Sequence, residues 1–145
     1  MDDPTRDGTS ASFRRLFTVE EANDLLASIK PLLLELKLEK EQFDQLRRTL
    51  EAMTPAMRGN GHGALAVEYE QRINDLVTRM SAGIRSLAEQ GVEVKDLNQG
   101  LIDFPHLRGG HVVYLCWRLG EGKIRYWHEI EAGFAGRRYL EDEHP

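Results

Sequence analysis

Residues 100–138 read GLIDFPHLRGGHVVYLCWRLGEGKIRYWHEIEAGFAGRR, and this stretch decides the fold. Gly109-Gly110 is a strong signal for a two-residue hairpin turn, and Glu121-Gly122 is a second, weaker one. Two tight turns divide the stretch into three consecutive strands. The sequence therefore predicts a three-stranded antiparallel β-meander over residues 100–131.

Two-residue turns also fix which residues lie opposite each other across the strands. Across the first turn Ile102 opposes Trp117, and across the second turn Trp117 opposes Tyr126. Directly opposed residues share a face of the sheet, as do alternate residues along a strand. One face is then almost wholly apolar and is expected to be buried. It contains Ile102, Phe104, His106, Val113, Leu115, Trp117, Leu119, Ile124, Tyr126, His128 and Ile130.

The opposite face is mixed in character. In this register Trp127 lies on it and is expected to be partly accessible, whereas Trp117 is buried. Pro105 cannot donate a hydrogen bond to a neighbouring strand, so its strand is expected at an edge of the sheet. The members of this second face are Leu101, Asp103, Pro105, Leu107, Val112, Tyr114, Cys116, Arg118, Arg125, Trp127, Glu129 and Glu131.

A helical hairpin is predicted over residues 18–90. Thr18 and Glu21 form a capping box at its start, and apolar residues follow at heptad spacing. Pro31 lies inside this pattern and predicts a kink rather than a helix end. A glycine-rich loop over residues 54–63 leads to a second helix, which Gly91 is placed to cap.

The domain organisation follows from these elements. Residues 1–16 are expected to be a disordered lead-in, residues 17–140 a single α+β domain, and residues 141–145 an acidic tail. Within the domain, the long antiparallel helical hairpin packs on the three-stranded meander, and a loop rich in glycine and arginine follows at residues 132–138. The first helix is longer than the second and has a wide apolar stripe, which predicts a homodimer.

Composition excludes several classes of function. The chain has 145 residues and a net charge of −5, which disfavours non-specific nucleic-acid binding. No apolar stretch is long enough to cross a membrane, and the N-terminus does not resemble a secretory signal. Its single cysteine, Cys116, fits a reducing compartment. We therefore expect a cytoplasmic protein with no nucleic-acid or membrane partner.

Several motifs are characteristic of one family. The stretches are Phe17–Asn23, Asp103–Pro105, Tyr114–Glu121, Tyr126–Glu129 and Gly133–Arg137. Together they resemble the bacterial family catalogued as domain of unknown function 2203, and the resemblance extends over most of residues 17–138. It implies a small, cytoplasmic bacterial protein and supplies no activity, cofactor or site.

Catalytic and metal-binding residues are not predicted from the sequence. His128 falls on the apolar face and is interpreted as a core histidine, on the order of 10 Å from His106. Whether either histidine joins helix residues in a metal site is left open. In this register Cys116 has Asp103 beside it and no histidine on its face, so we interpret it as a packing residue. The sequence therefore predicts no metal site and no cofactor, and it favours a non-enzymatic function.

The second face of the meander is the candidate binding surface. Aromatic residues combined with arginines are typical of binding hot spots, and Arg118 and Arg125 are predicted to oppose each other. Arg137 lies near the rim, in the glycine-punctuated loop. The candidate binding residues are Asp103, Tyr114, Arg118, Arg125, Trp127, Glu129 and Arg137.

Two functions are compatible with this surface. The first hypothesis is a homodimeric interaction or assembly protein that binds a partner protein through the aromatic and arginine-bearing face. The alternative is a site for a small anionic ligand, enzymatic or not, over Arg118, Arg125 and Trp127. A third interpretation is purely structural: the first helix or the C-terminal segment covers this face, and the arginines form ordinary ion pairs.

Overall fold

The computed structural model describes residues 13, 15–53 and 63–141. Most of the predicted lead-in, interhelical loop and acidic tail lie outside these residues. Two helices come first in the chain, and a short 3₁₀ helix, Phe134–Gly136, lies between the last two strands. The elements are α1 Val19–Glu51, α2 Gly63–Glu89, β1 Glu93–Asp96, β2 Leu101–Arg108, β3 His111–Arg118, β4 Tyr126–His128 and β5 Arg138–Tyr139.

The start of α1 is the predicted capping box. The Thr18 hydroxyl accepts a hydrogen bond from the Glu21 N–H at 3.0 Å, and the Glu21 carboxylate accepts one from the Thr18 N–H at 2.8 Å. The helix continues through Pro31 for 33 residues. Its apolar stripe packs against α2 and against one face of the sheet, so the widened first half of the stripe is buried within the chain.

The α+β class is confirmed, but the sheet has five strands rather than three. All pair in antiparallel fashion in the order β1-β2-β3-β4-β5. β1 lies beside β2, so the prediction that β2 is an edge strand is wrong. Pro105 nevertheless lies beyond the part of β2 that β1 covers, and its carbonyl accepts a hydrogen bond from the Phe17 N–H at 2.7 Å.

The first hairpin has the predicted register. Ile102 pairs with Trp117, Phe104 with Leu115 and Leu107 with Val112. Gly109 and Gly110 have φ values of +59° and +86°, in the left-handed region that this tight turn requires at both positions.

The second predicted turn is wrong. β3 ends at Arg118 and β4 begins at Tyr126, so residues 119–125 form a longer loop. Hydrogen bonds that involve side chains hold this loop in place. The Glu121 carboxylate accepts from the Arg118 N–H at 2.7 Å, the Trp117 indole N–H donates to the Gly122 carbonyl at 2.7 Å, and the Asn23 amide oxygen accepts from the Ile124 N–H at 2.8 Å.

The longer loop shifts β4 by one residue from the predicted register. Tyr114 pairs with His128, Leu115 with Trp127 and Cys116 with Tyr126. A shift of one residue exchanges the two faces of a strand. Trp127 therefore joins the helix-facing side of the sheet, and His128 joins the opposite side.

The core lies between the two helices and the near face of the sheet. Phe17, which precedes α1, packs edge-to-face on Phe104 with ring centroids 5.2 Å apart. Trp117 is buried, as predicted, but Trp127 is only 4% exposed, so its predicted accessibility is wrong.

Candidate functional site

Three titratable side chains meet on the face of the sheet that points away from the helices. Asp103 of β2 lies directly opposite Cys116 of β3, and His128 of β4 lies diagonally beside Cys116. All three are buried, with at most 2% exposure, and their ligand-type atoms lie within 4.8 Å of one another. We call Asp103, Cys116 and His128 the buried cluster. The register shift makes two interpretations wrong. His128 does not belong to the helix-facing core, and Cys116 does have a neighbouring histidine.

Both ring nitrogens of His128 have partners. Nδ1 lies 2.7 Å from the Glu129 carbonyl oxygen, which only accepts, so Nδ1 carries a hydrogen and donates. Nε2 lies 3.0 Å from Asp103 Oδ2. Burial alone would lower the pKa of His128, but the hydrogen bonds to Asp103 and to the Glu129 carbonyl outweigh it and raise this pKa. His128 and Asp103 are therefore a buried hydrogen-bonded pair, and the carboxylate favours the protonated form of the imidazole.

The Cys116 thiol is not poised as a nucleophile. Burial, followed by the charge of Asp103, raises its pKa to about 12, against a smaller opposing effect of Arg137. Nucleophilic cysteines require an adjacent base and a lowered pKa. Both nitrogens of His128 already bind other groups, so the buried cluster lacks the geometry of a nucleophile–base pair.

Tyr114 closes one side of the buried cluster. Its hydroxyl donates to the Glu93 carboxylate, with both oxygens at 2.9 Å, and its ring lies 5.5 Å from that of His128. Burial and the hydrogen bond to Glu93 raise the pKa of Tyr114 above its ordinary value. Phe13 packs edge-on against this ring and Lys95 lies 4.5 Å over it, which shields the cluster from solvent.

The C-terminal segment closes the other side. Arg137 donates two hydrogen bonds to the Glu121 carboxylate, each at 2.7 Å, and one to the Cys116 carbonyl at 3.1 Å. Its guanidinium lies over the rings of Tyr126 and Phe134, at 4.0 and 4.5 Å. For Arg137, the structure thus agrees with the interpretation in which this segment covers the face and the arginine forms an ion pair.

The structure places three of the predicted site residues, Asp103, Tyr114 and Arg137, in or around the buried cluster. Trp127 lies on the other side of the sheet. Arg118 pairs with Leu101 rather than opposing Arg125, and its guanidinium stacks on Phe134 at 5.1 Å.

The remaining two predicted residues are exposed. Glu129 contacts His111 at 3.1 Å, and Arg125 lies in the loop before β4. The seven residues therefore do not form one continuous surface.

Arg125 belongs instead to a groove of about 460 Å³ between the start of α1, the end of β2, the 119–125 loop and the end of the described chain. Three of its lining side chains are cationic: Arg108, Lys123 and Arg125. The guanidinium of Arg108 also lies 5.0 Å over the Trp127 ring. We call this pocket the basic groove; the described residues that line it are Val19, Asn23, Arg108, Lys123, Ile124, Arg125, Leu140 and Glu141. Sequence reasoning missed Arg108 and Lys123, because only tertiary structure joins these segments.

A family model described as "Uncharacterized conserved protein (DUF2203)" matches residues 15–140. The chain belongs to this family. The resemblance that the motifs predicted is therefore confirmed. No curated protein and no solved structure matches the chain. Within the described residues of this DUF2203 protein, no helix is long and apolar enough to cross a membrane.

The motifs that carry the DUF2203 resemblance converge on the buried cluster. Asp103–Pro105 supplies Asp103, Tyr114–Glu121 supplies Cys116, and Tyr126–Glu129 supplies His128. The Gly133–Arg137 motif supplies the arginine that contacts the Cys116 carbonyl. Four segments that are separate in the sequence thus meet at one place in the fold.

Proposed function

We propose that this DUF2203 protein binds a small anionic ligand in the basic groove without catalysing a reaction. The observation that carries the proposal is the convergence of Arg108, Lys123 and Arg125 on one pocket, in a chain whose net charge is −5. Among the described residues, none of the three forms an ion pair. Like charges held close together repel, and an anion between them replaces repulsion with charge-assisted hydrogen bonds.

The walls of the groove indicate the class of ligand. A volume of about 460 Å³ suits a small molecule rather than a bare ion. Val19, Ile124 and Leu140 supply apolar walls, so the ligand combines a carboxylate or phosphate group with an apolar part. The described residues that line the groove include no histidine, cysteine or serine, which supports binding rather than catalysis.

We expect a phosphorylated or carboxylated metabolite with an apolar part to raise the melting temperature of the wild-type protein, and inorganic phosphate to raise it less. A ligand of the folded state stabilises it by about 2.7 kcal/mol at a ~hundredfold excess over its Kd. Arg125→Ala and Lys123→Ala should each reduce the shift, and the double variant should abolish it. Glu141→Gln removes the only carboxylate among the described residues that line the groove and should enlarge the shift.

Arg118→Ala is the matched control, because Arg118 stacks on Phe134 outside the groove. It should retain the wild-type shift. The proposal fails if no anion in the screen raises the melting temperature, or if the shift survives the double variant. If Arg118→Ala alone abolished the rise in melting temperature, the ligand would bind instead at the surface predicted from the sequence.

A second candidate is homodimeric assembly, favoured by exposed leucines on α1. Leu34 and Leu38 are 48% and 49% exposed on successive turns of the helix. In an antiparallel two-fold contact centred near residue 36, Leu34 of one copy lies opposite Leu38 of the other. Glu35 then lies opposite Lys37, so the charges beside the leucines are complementary.

Sedimentation equilibrium tests this assembly. Wild-type protein at tens of micromolar should show a mass near twice 16.6 kDa, and Leu38→Glu should shift it to the monomer. Val77→Glu, which alters an exposed apolar residue of α2, is the control and should remain dimeric. A wild-type protein that sediments only at the monomer mass would refute homodimerisation.

A further inference from the structure

We infer that the buried cluster binds one Zn²⁺ ion, with Asp103, Cys116 and His128 as its protein ligands. The ion would link β2, β3 and β4 on the side of the sheet away from the helices. The inference does not depend on the basic groove, with which the cluster shares no residue.

The types of ligand atom in the buried cluster indicate which metal it would bind. A cysteine sulfur, a histidine nitrogen and a carboxylate oxygen all bind zinc, whereas magnesium and calcium prefer oxygen ligands alone. A thiolate and a carboxylate also supply two negative charges, which balance a divalent cation at a site that is at most 2% exposed. The composition and charge of the buried cluster therefore fit zinc.

The geometry needs only small side-chain movements. A tetrahedral zinc ion with bonds of about 2.0 to 2.3 Å holds its ligand atoms roughly 3.3 to 3.8 Å apart. The ligand-type atoms of the cluster all lie within 4.8 Å of one another, and His128 Nε2 is already 3.0 Å from Asp103 Oδ2. Three neighbouring strands of one sheet hold these side chains in place.

The hydrogen bond at His128 Nδ1 leaves the other nitrogen for a metal. Metal-bound histidines usually donate their second ring N–H to a carbonyl or carboxylate, and His128 Nδ1 donates to the Glu129 carbonyl at 2.7 Å. On binding, Nε2 coordinates the ion through the lone pair of the neutral imidazole, and the Cys116 thiol becomes a thiolate. The thiol proton, and any proton held on Nε2, leave to solvent.

The carboxylate of Asp103 supplies a second observation in favour of a bound cation, independent of the ligand types and distances. Its Oδ1 atom is buried and has no hydrogen-bond partner of normal geometry among the described residues. A buried carboxylate oxygen without a partner is costly, and a cation relieves that cost. The hydrogen bond with His128 accounts for Oδ2, and the Cys116 thiol interacts with the same carboxylate. A zinc ion bound to Asp103 and to the Cys116 thiolate would supply the buried carboxylate with a cation.

The burial of the cluster assigns the ion a structural role. Three protein ligands leave one position of a tetrahedral ion for a water molecule. Among the described residues, Tyr114 and the C-terminal segment cover the cluster on its two sides, which disfavours access of a substrate to that position.

Refolding the full chain from denaturant with Zn²⁺, followed by dialysis and metal analysis, tests the inference. We expect one zinc per chain and a higher melting temperature than after refolding with a chelator. Refolding with Co²⁺ should produce the near-ultraviolet absorption of a cobalt–thiolate bond. Cys116→Ser and Asp103→Asn should each retain less than about a tenth of the wild-type zinc at equal protein, in line with mutated metal sites.

His106→Gln is the matched control. His106 is a half-buried histidine whose ring binds the Phe17 carbonyl at 2.7 Å, outside the buried cluster, and its replacement should leave one zinc per chain. The cobalt spectrum of the wild-type protein keeps the inference testable even if a cluster variant fails to fold. Wild-type protein that retains no zinc and shows no cobalt–thiolate band would overturn it. So would zinc retained in full by folded Cys116→Ser.

Discussion

Asp103→Ala should lower the free energy of unfolding by about 1–3 kcal/mol, because it leaves His128 Nε2 buried without its hydrogen-bond partner. Asp103 and His128 are 1% and 2% exposed, so little water is available to replace the lost partner. Chemical denaturation in the presence of a chelator would measure this change without any contribution from a bound metal. The double variant Asp103→Ala/His128→Leu should recover part of the loss, since it leaves no unpartnered polar group of this pair.

The chain offers a matched control for this buried pair. His111 and Glu129 also form a histidine–carboxylate contact, with Nε2 and Oε1 3.1 Å apart, but their side chains are 58% and 49% exposed. Glu129→Ala should therefore cost less than about 1 kcal/mol. If Asp103→Ala costs no more than Glu129→Ala, the buried pair is not a major source of stability.

The sequence predicted the first hairpin correctly because local chemistry determines it. Gly109-Gly110 favours a two-residue turn because both residues adopt positive φ there, and the register follows from counting outward. The prediction of the second turn was wrong because hydrogen bonds to residues distant in the sequence override the local preference for a tight turn. Asn23 of α1 binds the loop at Ile124, and Arg137 from near the C-terminus binds Glu121.

That single error concealed the candidate sites. A shift of one residue moved His128 from the helix-facing core to the side of Cys116 and Asp103, and it removed Trp127 from the predicted surface. The two additional strands are also hard to predict, because β1 has four residues and β5 has two. Strands of that length show too little alternation to reveal a pattern. The basic groove joins four separate segments, so no local pattern could indicate it.

The ion pair between Glu121 and Arg137 fastens the C-terminal segment to the loop that precedes β4. Their side chains are 21% and 12% exposed, and the carboxylate also accepts the Arg118 N–H. Burial alone would raise the pKa of Glu121, but the hydrogen bonds from Arg137 and Arg118 outweigh it and lower this pKa below 4.5. The folded protein therefore binds a proton at Glu121 less readily than the unfolded chain does.

Glu121→Gln should lower the free energy of unfolding at neutral pH by about 1.5–3 kcal/mol, the range for hydrogen bonds to charged groups. Because the folded pKa is depressed, this stabilisation is fully present above the ordinary glutamate pKa of 4.5 and is lost as the pH falls through the folded pKa. Denaturation curves from neutral pH to about pH 3 should therefore converge for wild type and variant at the acid end. Glu41→Gln, which alters an exposed pair with Lys37 on α1, should cost only about 0.3–0.5 kcal/mol. A Glu121→Gln difference that stays constant across the pH range would show that the geometry of the loop, and not the charge of Glu121, holds the C-terminal segment over the buried cluster.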